Sequence, residues 1–249
     1  MTSRGAVALL VSLTSLPFAA CAQQQATKPM TKAEIEEIVK QYIMDHPDVV
    51  VDSVRQMQAR EQAKQKERSK DALTTKKQDL LADPSSPASK PDAPGEITMV
   101  EFFDYRCGYC KKVFPTLQKL QADNKNIRIV FKEFPILGPD STNASRAALA
   151  AAKQGAYLKF HDALMGNAAP PTMERIQQVA KDLGLDVDRL KKDMQSPEIE
   201  AIINRNQQLA QTLGIEATPS FVIGNELVPG ALDEAGFKDL LAKAAAAKK

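Results

Sequence analysis

Apolar positions recur along this chain first with a helical period and later with a strand period. In TKAEIEEIVKQYIMDHPDVVVDSVRQMQ, residues 31–58, a stripe of Ile35, Ile38, Val39, Tyr42 and Ile43 follows Thr31 and Glu34 in capping-box spacing. This predicts an amphipathic helix, which Pro47 should end. Asp48 can then cap a second helix carrying Val50, Val51, Val54 and Met57 on one side. Beyond Met57 large apolar residues are sparse until Leu73, Leu80 and Leu81, so the stretch to residue 82 reads as a polar arm. The two apolar stripes need a partner, either the rest of the chain or copies of themselves. DPSSPASKPDAPG, residues 83–95, has the proline and serine density of a linker.

The period changes at residue 96. Ile97, Met99, Val100, Phe102 and Phe103 form an apolar run short enough for a buried strand, and CKKVFPTLQKLQADN reads as the helix after it. IRIVFKEFPIL, residues 127–137, alternates into a second strand, so the intervening helix makes a β-α-β unit with a parallel pair. Four helical pieces follow: NASRAALAAAKQGAYLKFHDALMGN, TMERIQQVAKDLGL, DVDRLKKDMQS and PEIEAIINRNQQLAQTLG. TPSFVIGNELVPG restores strand character with a Gly-Asn turn, and LDEAGFKDLLAKAAAA closes as a helix. The expected class is α/β: residues 96–249 form one domain whose strands frame a helical insert at about 139–213, and a helical segment at 31–82 precedes it.

Composition adds two points. At 249 residues, 43% hydrophobic and with a formal net charge of +2, the chain can bury a real core, and its charge does not suit a nucleic-acid partner. MTSRGAVALLVSLTSLPFAACA, residues 1–22, places Arg4 before a short apolar stretch and small residues near a cut, which reads as a secretory signal peptide. Cys21 sits at that cut. It is either discarded with the signal, the preferred reading, or kept as a lipid-bearing N-terminus; FAAC resembles a bacterial lipobox except that Phe18 replaces an aliphatic residue.

The chemistry centres on EFFDYRCGYCKKVF, residues 101–114, which holds Cys107 and Cys110. One remaining pair is not a disulfide framework. A closed zinc site needs four ligands, and only His46 and His161 could join the two thiols, so zinc is not expected; His161 reads as a helix residue at the domain surface. Two thiolates could hold a cuprous ion, which keeps a non-enzymatic copper-binding or surface-interaction protein open as the contrasting function. At a helix N-terminus, however, a thiolate faces free backbone N–H groups and the positive dipole end, which lowers its pKa. Cys107 is then the expected nucleophile. Cys110, one turn on, can close or release a disulfide with it.

With VEFFDYRCGYCKK after a strand, EATPSFVIG far downstream and helices between, the chain resembles the DsbA-type thiol oxidoreductases of the thioredoxin fold. The resemblance implies that Thr218 and Pro219 form a cis-proline loop presenting backbone to a substrate peptide. It implies that Glu101 is a buried acid moving protons for Cys110, with Lys132 as an assisting nearby charge. Tyr105 and Tyr109 read as substrate-facing or packing aromatics. No cofactor is implied. Residues 31–57 are similar to the N-terminal segment of the suppressor of copper sensitivity protein C group, which implies a homo-oligomer, with a trimer favoured.

The same likeness implies protein clients with thiols or disulfides, a membrane redox partner that recycles the pair, and the periplasm of a Gram-negative bacterium. Gly108 and Tyr109 between the cysteines carry no charge and no histidine, unlike the Pro-His pair of strongly oxidising members. The expected activity is therefore isomerase or reductase, with a DsbA-like dithiol oxidase as the alternative.

Overall fold

The computed structural model describes residues 29–90, 93 and 96–247. The signal peptide and the fate of Cys21 lie outside these residues, as do positions 91, 92, 94 and 95 of the expected linker. The chain divides into two units, Met1–Gln56 and Met57–Lys249.

In the first unit, α1 (Lys32–Asp45) begins at the capping box: Thr31 N–H donates to Glu34 at 2.7 Å and Glu34 N–H donates back to Thr31 Oγ1 at 3.3 Å. Pro47 opens α2 (Pro47–Thr75) as its first residue, so Asp48 falls in the first turn, where a negative charge faces the positive helix end. No residue of α1 is buried, and Ile35, Ile38, Val39 and Tyr42 remain exposed. The amphipathic pattern is present, and its apolar stripe lies open.

The second unit is built on a four-stranded sheet of order β2-β1-β3-β4. β1 (Ile97–Phe103) and β2 (Ile127–Glu133) are parallel, joined by α4 (Gly108–Asp123) as the β-α-β pattern requires. β3 (Ser220–Ile223) runs antiparallel to β1 and turns at Gly224 and Asn225 into β4 (Glu226–Pro229). Gly224 has φ +62, a left-handed conformation that favours glycine in such a turn. Between β2 and β3 lie five helices rather than four: α5 (Pro139–Ala152), α6 (Tyr157–Met165), α7 (Met173–Asp182), α8 (Val187–Asp193) and α9 (Pro197–Leu213). The first expected piece breaks after Ala152, where Gly155 takes φ +73. α10 (Glu234–Ala246) closes the chain.

Side chains alternate across a strand, and the core sorts by that parity. Met99, Phe103, Ile129, Phe131, Phe221 and Ile223 join one cluster with α4, α5, α6 and α10, while Val100, Phe102, Val130 and Val222 join another on the opposite face. The second cluster takes in Leu73 of α2, Leu80 of α3 (Lys77–Leu81) and Leu209 and Leu213 of α9. Burying a leucine stabilises by about 2 kcal/mol, so the end of the expected arm has a reason to fold onto the sheet. Ser69 also donates to the Leu213 carbonyl at 2.6 Å. The expected linker is docked over its first half: Phe131 N–H donates to Pro87 O at 2.9 Å and Ser89 N–H to Ile129 O at 2.8 Å, covering the edge of β2.

Candidate functional site

Cys107 ends the turn after β1 and is the N-cap of α4, with Gly108 the first helical residue. Asp104 shapes this turn. Its carboxylate accepts from Arg106 N–H at 2.7 Å and from the amides of Ile136 and Leu137 at 2.9 and 3.0 Å, which ties the cysteine turn to the loop after β2. Asp104 was not among the residues singled out from sequence. Its signal is an aspartate two residues before a turn amide, the pattern of an Asx turn.

The N-cap position decides the chemistry of the pair. Cys107 Sγ accepts from Cys110 N–H at 3.3 Å and lies 3.1 Å from the Thr218 carbonyl oxygen. The Cys110 thiol first, then the Thr218 side chain and the amides of Cys110 and Tyr109, hold Cys107 down at about 6 against an opposing contribution from burial. Cys110, fully buried one turn on, is pushed far up by burial, by its bond to Cys107 and by the charge of Glu101. One sulfur is therefore ready as a thiolate near neutral pH, and the other keeps its proton until something removes it. Both are free thiols.

The other expected site residues fall into two groups. Thr218 and Pro219 are brought to Cys107 from the far end of the chain, and their peptide bond is cis. Glu101 is only 2% exposed and faces the cysteine pair; burial first, then Cys107 and Glu133, raise its carboxyl to about 8. Gly108 has open space where a side chain would stand, and Tyr109 is 67% exposed beside the thiols.

Lys132 is not brought to this group. It has the parity of Phe102 and points to the opposite face, where its ammonium donates to Asp79 O at 2.6 Å, Ser86 Oγ at 2.7 Å and Asp83 Oδ2 at 3.3 Å. The expected assistance to Glu101 is therefore corrected: Lys132 fastens the segment before β1 onto β2.

His161 is also corrected, being 1% exposed rather than at the surface. It lies among the rings of Phe103, Tyr105, Phe114, Phe131 and Tyr157, and burial lowers its pKa to about 3, so it is neutral. Tyr105 is fully buried as a packing aromatic, its ring edge-on to Phe103 at 5.1 Å. Among the described residues no group of three or more histidine, cysteine or acidic side chains could hold a metal ion.

Sequence reasoning missed Glu133. It follows Lys132 in β2, is fully buried, and accepts from Tyr157 at 2.7 Å and Tyr105 at 3.1 Å. Burial raises its carboxyl to about 8 although these tyrosines pull the other way.

Comparison with known proteins gives matches to both units. The DSBA-like thioredoxin domain family matches residues 98–242, and the copper resistance protein ScsC N-terminal domain matches residues 32–64. A solved thioredoxin-like oxidoreductase from Silicibacter pomeroyi DSS-3 is 40% identical with TM-score 0.64, covering 69% of this chain and 98% of that one. The catalytic domain of Proteus mirabilis ScsC is 28% identical with TM-score 0.63, covering 71% of this chain and 98% of that one. Among curated proteins, Na(+)/H(+) antiporter NhaA 3 of Salinispora tropica is 29% identical over 129 residues, which are 51% of this chain and 20% of that protein. The chain thus spans about a fifth of the length of such antiporters. No helix among the described residues is long and apolar enough to cross a membrane.

Proposed function

The chain belongs to the DSBA-like thioredoxin domain family, and from that premise we propose that it is a thiol-disulfide oxidoreductase acting on protein clients. The Cys107 thiolate attacks a client disulfide, forming a mixed disulfide and releasing one client thiolate. Cys110 then gives its proton to the Glu101 carboxylate and attacks Cys107 Sγ, which releases the second client sulfur. The client gains two electrons and the pair becomes a disulfide. Thr218 and Pro219 present backbone to the client strand, and Tyr109 offers it an exposed ring. One observation carries this reading: Cys107 caps a helix with its thiol held at about 6 while Cys110, one turn away, is buried and protonated.

The work is isomerisation. A thiolate held at about 6 is poised between strongly oxidising and inert thiols, so reduced protein can attack wrong disulfides and be released when the client reshuffles. The open apolar stripe of α1 and early α2 supports self-association, as does the family match at residues 32–64. Residues 31–57 would gather several exchange centres, three being favoured, around one client and raise their effective concentration. The setting is the periplasm, with a membrane redox partner keeping the pair reduced.

Insulin reduction and refolding of scrambled ribonuclease test this directly. Wild type is expected to do both, and Cys107→Ser neither. A chain lacking residues 1–56 is expected to sediment as a monomer, reduce insulin and fail to unscramble ribonuclease. Activity in Cys107→Ser would remove the exchange reading; equal sedimentation of the two chains would remove the assembly.

A further inference from the structure

Two carboxyls lie buried on one face of the sheet, and the exchange described above uses one of them. Glu101 and Glu133 share the parity of Phe103 and Phe131, and the register sets Glu101 beside Phe131 and Phe103 beside Glu133. Strand geometry puts their Cα atoms about 8 Å apart, diagonally across the parallel pair. Glu133 is held from three elements. Tyr157 of α6 and Tyr105 of the cysteine turn donate to its Oε1 at 2.7 and 3.1 Å, and Asn206 of α9 donates to its backbone carbonyl at 3.1 Å. The Tyr105 hydroxyl also meets His161 Nδ1 at 3.1 Å.

Among the described residues no cation answers this pair of acids. Among the described residues the groups that face them are Asp104, Tyr105 and Cys107 from the turn, Cys110 from α4, and Tyr157 and His161 from α6, none of them positively charged. α5 presents the Ser145 hydroxyl. Lys132 is on the other face, bound to Asp83. Glu101, but not Glu133, lines a cavity of about 400 Å³ that Lys90, Lys125 and Asp162 also line, and it forms an ion pair with neither lysine.

We propose that Glu133 is a positioning residue for thiol exchange: a second buried carboxyl, anchored by two tyrosine hydroxyls, that shares one negative charge with Glu101 and so sets how readily Glu101 accepts the proton of Cys110. Two carboxylates this close in a dry interior do not both ionise freely. The first charge settles on Glu133, because two hydroxyls donate to it. Glu101 then holds its proton to a higher pH and exchanges it through the cavity. In the mixed disulfide the charge on Cys107 is gone, while Glu133 remains. Glu101 is thereby kept near neutrality, where a proton acceptor works best.

The proposal rests on reading Glu101 as the acceptor, so its test has one measurement that does not involve exchange. Carbon-13 NMR of labelled glutamate carboxyls would follow Glu101 through pH in the reduced full chain, as wild type and as Glu133→Gln. Removing the neighbouring charge is expected to strengthen the Glu101 acid at least about tenfold, the size of a unit charge acting over several ångströms in a partly screened interior. The pH profile of mixed-disulfide resolution should move to lower pH by the same factor. If Glu133→Gln does not fold, Tyr157→Phe, which leaves the carboxyl in place and removes one donor, should shift Glu101 in the same direction by less. An unchanged Glu101 midpoint in the folded variant overturns the proposal, as does a moved midpoint with an unmoved resolution profile. A wild type that exchanges no disulfide would instead remove the function proposed above, and the midpoint would still report on the coupling.

Discussion

Residues 132 and 133 are neighbours in one strand, both charged in type and both fully buried, yet they are treated in opposite ways. Lys132 points to the face covered by α2, α3 and α9, where an aspartate, a hydroxyl and a carbonyl surround its ammonium. Glu133 points to the cysteine face, where among the described residues it finds hydroxyls and a second acid but no cation. A paired buried charge fixes structure, because removing either partner leaves the other stranded. Unpaired buried acids instead titrate near neutral pH, which is the range in which protons must move. One face of the sheet is thus a fastening, and the other holds two buried acids raised toward neutral pH.

Breaking the fastening should have the largest effect. Lys132→Met strands Asp83, which is partly desolvated, and is expected to lower stability by about 3 kcal/mol in urea unfolding. Thiol exchange in the folded fraction should keep its pH dependence. A shifted profile would show that the two faces are not separate.

Breaking the pair of acids should do the reverse. The folded state holds a proton on Glu101 up to about 8, whereas the unfolded chain loses it at the ordinary carboxylate value near 4.5. Between those limits the native state binds more protons, so stability falls as pH rises through the window. Glu101→Gln removes that loss. It is expected to stabilise by on the order of 2 kcal/mol at pH 8 and to lose this advantage below pH 4, as thermal melts across pH would read.

A smaller effect of opposite sign belongs to Cys107. Its folded thiol ionises at about 6 rather than at the ordinary 9, so the reduced native state gains stability that is complete above pH 9 and is lost as pH falls through 6. Reduced Cys107→Ala should therefore be less stable than reduced wild type at pH 9 and match it at pH 5.

The cysteine helix, the β-α-β unit and the hairpin at Gly224 depend on neighbours a few residues apart, and each follows from local pattern. Lys132 and Glu133 do not. Every residue of β2 is buried, because helices cover both faces, so its alternation does not tell a core side from a solvent side for either charge. The partners of Glu133 are Tyr105 and Tyr157, separated from it by 28 and 24 residues, and nothing local joins the three. The docking of residues 83–89 on β2 was hidden by a composition that also suits a free linker.

The exchange proposed above needs Glu101, which among the described residues has no cation beside it, to take the proton that Cys110 must lose. Its most direct test is the rate at which Cys110 resolves a preformed mixed disulfide at Cys107, followed from pH 5 to pH 9 in wild type and Glu101→Gln. Loss of a positioned proton acceptor should slow the step about 100-fold at neutral pH and abolish the inflection that belongs to Glu101. Superimposable profiles would remove Glu101 from the path of the Cys110 proton.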